Sequence, residues 1–219
     1  MNVVTIERKI LEKNDEIAGI NRQLLQSFGI WTVNIISAPG AGKTCLLERT
    51  LEVLKEKIQI GVIEGDVQTD LDARRIAGCG VPAVQIVTRG GCHLEADLVR
   101  DALKRLELNR LKLLFIENVG NLVCPANYDL GEDVKVIVVS TTEGDDKPLK
   151  YPTIFRKAET LVINKIDLLP HLPCNIEVLR GNALSINPHL RVFETSSITG
   201  VGIKEWCDWL ATSVASTGK

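Results

Sequence analysis

The chain has 219 residues, 45% hydrophobic and 25% charged, and its 26 basic and 28 acidic side chains leave a formal net charge of −2. At about 100–200 residues per domain that length allows one domain or two small ones, and so even a balance offers nucleic acid no whole-chain attraction. No apolar run approaches the roughly 18 residues of a membrane span, and the charged start MNVVTIERKILEKND lacks the apolar core of a secretory signal. Disordered, collagen-like, membrane and disulfide-scaffold classes are excluded, and a cytoplasmic globular protein that binds neither nucleic acid nor membrane is expected.

The first 28 residues place Ile6, Ile10, Ile17, Leu24 and Phe28 at helical intervals among Glu, Lys, Arg and Asn. This reads as an amphipathic helix packed on its own domain, the commoner case, or on a partner. Short β-branched runs then alternate with helical patterns. Strands are expected at 33–37, 60–65, 83–88, 111–117, 134–140, 160–164 and 190–195, and helices at 43–57, 70–78, 93–107, 175–187 and 201–214. Several strands are apolar nearly throughout, as strands buried on both faces of a parallel sheet are. The alternation predicts a three-layer α/β/α sandwich with a mostly parallel sheet, divided as an N-terminal helical segment 1–29 and one domain 30–219. With aromatics at 4%, Ile, Leu and Val must build the core.

After the first strand comes Ser37-Ala38-Pro39-Gly40-Ala41-Gly42-Lys43-Thr44-Cys45. It fits the phosphate-loop pattern G-x-x-x-x-G-K-[ST] except at its first position, where Ser37 stands for Gly. Backbone N–H groups of residues 40 to 45 would wrap the phosphates, with Pro39 and Ala41 part of the same cradle and Gly40 and Gly42 permitting close approach. The helix opening near Lys43 adds its positive end. Lys43 neutralises the β- and γ-phosphates and the Thr44 hydroxyl ligates Mg²⁺. A Gly-rich turn alone would explain a bare G-K-T; a buried strand before it and a helix after it favour a nucleotide.

Asn164-Lys165-Ile166-Asp167 ends the strand TLVIN and resembles the guanine-reading element of GTPases. One Asp167 carboxylate can accept from both guanine N1–H and the 2-amino group, which adenine cannot match. Asn164 is expected on the base edge and the Lys165 stem on the ring face. Ser196-Ser197-Ile198-Thr199-Gly200 resembles the loop that closes on guanine. GTP and GDP are therefore expected over ATP.

Glu117, at the end of LLFIE and before a Gly turn, occupies the place of a Mg²⁺ ligand and γ-phosphate sensor, and Asp66 in GDVQTD is equally well placed. Asp72 is a further candidate, whereas Asp70 reads as surface charge at a helix N-terminus. Lys43, Thr44, Asp66 and Glu117 form the expected catalytic set. No pattern marks the residue that positions the attacking water; Asp66 is the candidate.

Of six scattered cysteines, without C-x-x-C spacing, Cys92 stands beside His93 at an expected helix N-terminus, which lowers a thiol pKa. Cys124 lies just downstream of Glu117. Two thiolates and an imidazole suit Zn²⁺ or Ni²⁺ with a fourth position open, although cysteines are commonly core filler. Cys45 is expected behind the phosphate loop, Cys79 and Cys174 have no ligand partner nearby in sequence, Cys207 sits on an amphipathic helix, and His171 and His189 are expected in solvent.

The stretch from Ser37 to Gly200 resembles the hydrogenase nickel-incorporation GTPases, the HypB family. The matching pieces are APGAGKT, CHLEADLV, LLFIENVGNLVCPA, DLGE, VVSTTEGDDKPLKYP and LVINKIDLLP. The resemblance implies a SIMIBI-class P-loop GTPase that dimerises with GTP and delivers nickel to [NiFe]-hydrogenase, with a nickel-delivery chaperone and the hydrogenase large subunit as partners. It also implies a metal site on Cys92, His93 and Cys124. Met1 to Phe28 contain neither Cys nor His, so the family's N-terminal cysteine motif has no match and tight N-terminal nickel binding is expected to be absent.

GTP·Mg²⁺ would order the segments around Asp66 and Glu117, and the short chain path from Glu117 to Cys124 lets phosphate state and metal ligation bias one another. Lys147 and Lys150 are expected near a dimer interface or a partner's phosphates, or simply in a solvated loop. Two rival functions remain: a metal-buffering scaffold whose oligomeric state follows the nucleotide, and a P-loop small-molecule kinase.

Overall fold

The computed structural model describes residues 6–68 and 71–217; Asp70 and the Ile6 side chain fall outside that description. Seven strands run β1 (Trp31–Ser37), β2 (Ile60–Asp66), β3 (Ala83–Val87), β4 (Leu113–Glu117), β5 (Val134–Ser140), β6 (Thr160–Asn164) and β7 (Arg191–Glu194). They form one sheet in the order β3-β2-β4-β1-β5-β6-β7 with every pairing parallel, so the sheet is wholly parallel where a mostly parallel one was expected. Among the described residues, eight α-helices connect or flank the strands: α1 (Ile6–Ser27), α2 (Lys43–Leu54), α3 (Leu71–Gly78), α4 (Ala96–Leu103), α5 (Lys147–Lys150), α6 (Pro152–Lys157), α7 (Ile176–Ile186) and α8 (Ile203–Thr217). The short α5 and α6, each with a proline in its first turn, lacked the length for a periodic signal.

Alternation along the buried strands divides the core between two faces. Val33, Ile35, Phe115 and Val136 meet α2 and α8 on one side, where Trp206 and Cys207 are fully buried. On the other side Ile137, Leu161 and Ile163 pack under α6 and α7, while Ile63, Leu114 and Ile116 pack under α1 and α4. β1 lies between β4 and β5, so the chain reverses direction across the sheet there, and ligands bind parallel sheets outside the carboxyl ends of strands at such a point. The register that pairs Ile35 with Glu117 and Glu64 with Glu117 brings three strand ends to that crevice.

α1 packs on α4, but not by the face its apolar residues suggest. The inward residues are Asn14, Ala18, Asn21 and Leu25, whereas Ile10, Ile20, Leu24 and Phe28 are exposed. The reason is polar: Asn14 donates to the Asp129 carbonyl and accepts from the Ala96 N–H, both at 2.8 Å. Asn21 donates to the carbonyls of Ala96 and Leu130 at 2.8 and 3.0 Å. These buried backbone groups lie outside the sheet ladders and need partners, and the two amides supply them. Gly131, at φ +96°, lets the facing loop approach: a Cβ there would come within 2.8 Å of the Ala18 carbonyl oxygen.

Candidate functional site

β1 ends at Ser37, and the chain turns through Gly40 (φ +78°) and Gly42 (φ +97°) into α2. Both angles favour glycine, and a Cβ on Gly42 would lie 2.6 Å from Asn164 Nδ2. Ser37 has no such angle, which is why serine serves at the position that departs from the pattern. Its buried hydroxyl lies 3.1 Å from Lys43 Nζ and donates to the Ala38 carbonyl at 2.6 Å. A pocket of about 520 Å³ opens over this loop, and Gly40, Lys43, Thr44, Asp66, Asp72, Glu117 and Lys165 all line it. Cys45 also reaches it, with its thiol 3.3 Å from Arg75.

On the phosphate side, Thr44 Oγ1 donates to Glu117 Oε1 at 2.8 Å. Directly across the β2–β4 pairing stands Glu64, a residue the sequence reading passed over. Glu64 and Glu117 are both 2% exposed. Burial, then the neighbouring Glu117 carboxylate, holds the Glu64 carboxyl far above its usual range. Burial also raises Glu117, against the opposing pull of Lys43 and the Thr44 hydroxyl. Each leaves its Oε2 without a hydrogen-bond donor. Two buried carboxylates beside one another cannot both ionise unaided; a shared proton or a cation resolves the pair. Unfilled hard oxygens next to Thr44 suit Mg²⁺. Asp66 Oδ1 meanwhile accepts from the Gln68 N–H at 2.8 Å, and Asp72 pairs with Arg75 at 3.0 Å.

The base side is assembled otherwise. Asn164 Nδ2 donates to the Ala41 carbonyl at 3.2 Å, and its Oδ1 accepts from the Thr195 and Ser197 hydroxyls at 3.2 Å. These bonds brace the phosphate loop against the loop after β7 and leave the second Nδ2 hydrogen for a base edge, so Asn164 also holds the site's walls together. Lys165, at φ +62°, reaches the Gly40 carbonyl at 2.7 Å, which lays its stem across the pocket. Ser196 Oγ donates to Asp167 Oδ1 at 2.5 Å and fixes that carboxylate.

Cys92, His93 and Cys124 come together with their ligand atoms all within 4.8 Å of one another, and each is half-buried. Cys92 Sγ lies 3.5 Å from His93 Nδ1. A tetrahedral ion with bonds of about 2.0–2.3 Å wants donors about 3.3–3.8 Å apart, so small side-chain rotations close the set. The expected helix start at 93 is corrected: α4 begins at Ala96, and Cys92 lies in the preceding loop. The thiol is accordingly not lowered by a helix end; its contact with Cys124, then burial, raises its pKa. Burial lowers that of His93, which favours the neutral, ligating imidazole. His93 Nε2 is buried without a hydrogen bond, 3.8 Å from Glu95, and the Tyr128 ring stacks on the imidazole at 3.8 Å. Tyr128 had no sequence signal either, since only the fold brings its loop over His93.

The remaining candidates divide clearly. Cys207 is buried in the core, where its thiol is pushed up to about 12, and His171 and His189 are exposed. Lys147 pairs with Glu143 at 2.9 Å and Lys150 with Asp146 at 2.7 Å. Among the described residues no helix is long and apolar enough to cross a membrane.

The family model described as CobW/HypB/UreG, nucleotide-binding domain, matches residues 31–194. The hydrogenase maturation factor HypB of Azotobacter vinelandii is 50% identical over 208 residues, covering 95% of this chain and 69% of that protein. Among solved structures, HypB from Archaeoglobus fulgidus superposes with a TM-score of 0.87 at 41% identity, over 93% of this chain and 99% of that one. HypB from Helicobacter pylori in complex with nickel superposes with a TM-score of 0.89 at 35% identity, over 93% and 96% of the two chains.

Proposed function

The chain belongs to the CobW/HypB/UreG family of nucleotide-binding domains, among the HypB hydrogenase maturation factors, and from that premise we propose that it is a GTP-hydrolysing carrier of nickel for [NiFe]-hydrogenase assembly. One observation carries the reading. The thiol–imidazole cluster joins the loop that continues from the nucleotide pocket, Cys124 following Glu117, to the loop after β3 that carries Cys92 and His93.

GTP binds with guanine on Asp167, the ring along the Lys165 stem and the phosphates in the N–H cradle from Gly40 to Cys45. Lys43 leaves Ser37 for the β- and γ-oxygens, where its charge offsets the charge that grows in the transition state. Thr44, Glu117 and Asp66 would hold Mg²⁺, with Glu64 behind them. An ion held by these residues would supply positive charge that offsets the charge on the phosphates. Glu117 then gives up its Thr44 hydrogen bond, and the loop it anchors shifts. Nickel, the cargo, is taken by Cys92, His93 and Cys124; Zn²⁺ fits the same donors.

Three ligands per chain leave the fourth position open, and Val123, beside Cys124, is 60% exposed. A second copy in its GTP state would cover that apolar side chain and supply the missing donor. A nickel-delivery chaperone and the hydrogenase large subunit are the partners of this scheme.

Metal analysis of the protein with and without GTP tests it. Wild type should hold Ni²⁺ or Zn²⁺ in stoichiometric amount, and the Cys92→Ala/Cys124→Ala double variant should lose it. Sharing a site energy of about 10–16 kcal/mol among four ligands, each single variant should weaken affinity on the order of 10²–10³-fold. Unchanged metal content in the double variant would place the site elsewhere.

A further inference from the structure

Two loops carry the metal ligands, and one buried residue holds both. Asn118 follows Glu117 directly and is 1% exposed. Its backbone N–H donates to the Ile35 carbonyl at 2.9 Å, which ties it to β1 just below the phosphate loop. Its side-chain Oδ1 accepts from the Val119 N–H at 3.0 Å, which sets the start of the segment leading to Cys124. The same oxygen accepts from the Leu94 N–H at 3.1 Å, one residue after His93. The Nδ2 donates to Asn34 Oδ1 at 3.3 Å, and Asn34 donates in turn to Glu132 at 3.1 Å.

Leu94 is the matching part on the other loop. Its fully buried side chain lies against Gly65, between Glu64 and Asp66, where an added Cβ would be 2.9 Å away. Gly120, two residues beyond Asn118, lies close against the phosphate loop, since a Cβ there would be 3.2 Å from Pro39. Both phosphate-facing segments therefore press on one joint with no slack, and a close-packed joint passes displacement on instead of absorbing it. A shift of Glu117 carries Asn118, and Asn118 carries the backbone that aims Cys92 and His93.

We propose that Asn118, acting through the Leu94 backbone, is the positioning residue by which the phosphate state of the nucleotide sets the geometry, and so the affinity, of the Cys92–His93–Cys124 cluster. This rests on the GTP and metal sites of the preceding section and adds the link between them.

The test measures Ni²⁺ affinity by competition with a chromophoric chelator, in GDP·Mg²⁺ and in a non-hydrolysable GTP analogue with Mg²⁺. In the wild type the two affinities should differ by about five-fold or more, and saturating Ni²⁺ should change the preference between the nucleotides by the same factor. Asn118→Ala should bring that ratio within about two-fold of unity while still binding each ligand, because the variant cuts the link and leaves both sites. Leu94→Ala should do the same by slackening the joint, and volume-conserving Leu94→Met should restore the ratio. These two variants decide the matter should Asn118→Ala fail to fold. A merely structural Asn118 would lower both affinities in parallel with the ratio intact, and that result overturns the proposal. So does a wild type that binds both ligands with a ratio of one. A wild type whose metal is unaffected by Cys92→Ala/Cys124→Ala fails earlier, at the metal site itself.

Discussion

The two ends of the nucleotide pocket are built on opposite plans. At the base end every named polar group already has a protein partner: Asn164 to Ala41, Thr195 and Ser197, Lys165 to Gly40, Ser196 to Asp167. At the phosphate end, and in the metal cluster beyond it, Glu64 Oε2, Glu117 Oε2 and His93 Nε2 are buried with no donor or acceptor beyond the carboxyl pair itself and a 3.8 Å approach of Glu95 to His93 Nε2. A satisfied network is rigid and specific, while an unsatisfied one holds free energy that a ligand releases. In the proposed function, selection of the base is therefore prebuilt, and the response to phosphate and metal occurs on binding. Conformational switching needs groups whose partners change on binding, and those groups lie at the phosphate end and in the cluster.

The largest expected effect breaks the phosphate end alone. Lys43→Ala should lower the rate of GTP hydrolysis by roughly 10²–10³-fold, as removal of one transition-state donor does. Binding of guanosine, which has no phosphates, should be unchanged in a direct titration. Equal losses for guanosine and GTP would mean that the two ends are not separable.

Next in size, Asp167→Asn should break the base end alone. Asparagine keeps one acceptor but sets a donor against the second guanine donor, and losing one hydrogen bond to a charged acceptor, at about 1.5–3 kcal/mol, lowers guanine-nucleotide affinity roughly 10–100-fold. Xanthine nucleotides, whose 2-oxo group needs a donor, should now compete well. Metal affinity of the nucleotide-free protein should stay where it was; a parallel fall would contradict the independence of the two ends.

The smallest effect, taken per pH unit, tests the state of the phosphate end. Glu64 keeps its proton when folded and loses it when unfolded at neutral pH, because burial and Glu117 raise its folded pKa. Between the unfolded and folded values the native state binds the extra proton, so stability falls as pH rises, by at most about 1.4 kcal/mol per unit. Glu64→Gln carries no such proton. Denaturant unfolding of the ligand-free proteins from pH 5 to 8 should show the variant gaining on wild type as pH rises. Parallel curves would mean that Glu64 is ionised in the fold.

The sequence by itself determined whatever is written in consecutive residues. The phosphate loop, the N-K-I-D turn and the seven strand runs each carry their own local geometry, and β5 and β6 fall on the residues expected of them. Strand ends shifted by a residue or two and α4 shortened at both ends, because terminal turns are set by neighbours. Apolar spacing showed that the N-terminal segment is helical but not which side of it faces inward. Buried backbone groups of Ala96, Asp129 and Leu130 required amide partners, and they drew in Asn14 and Asn21 ahead of the isoleucines.

Only the tertiary structure decided which distant residues meet. Nothing local marks Glu64, since its importance lies in β2 being laid beside β4 in a register that sets it against Glu117. The same is true of Tyr128 over His93, and of Asn118 holding Leu94. These contacts join segments far apart along the chain, and the sheet order that unites them follows from how the whole core packs, which no single stretch encodes.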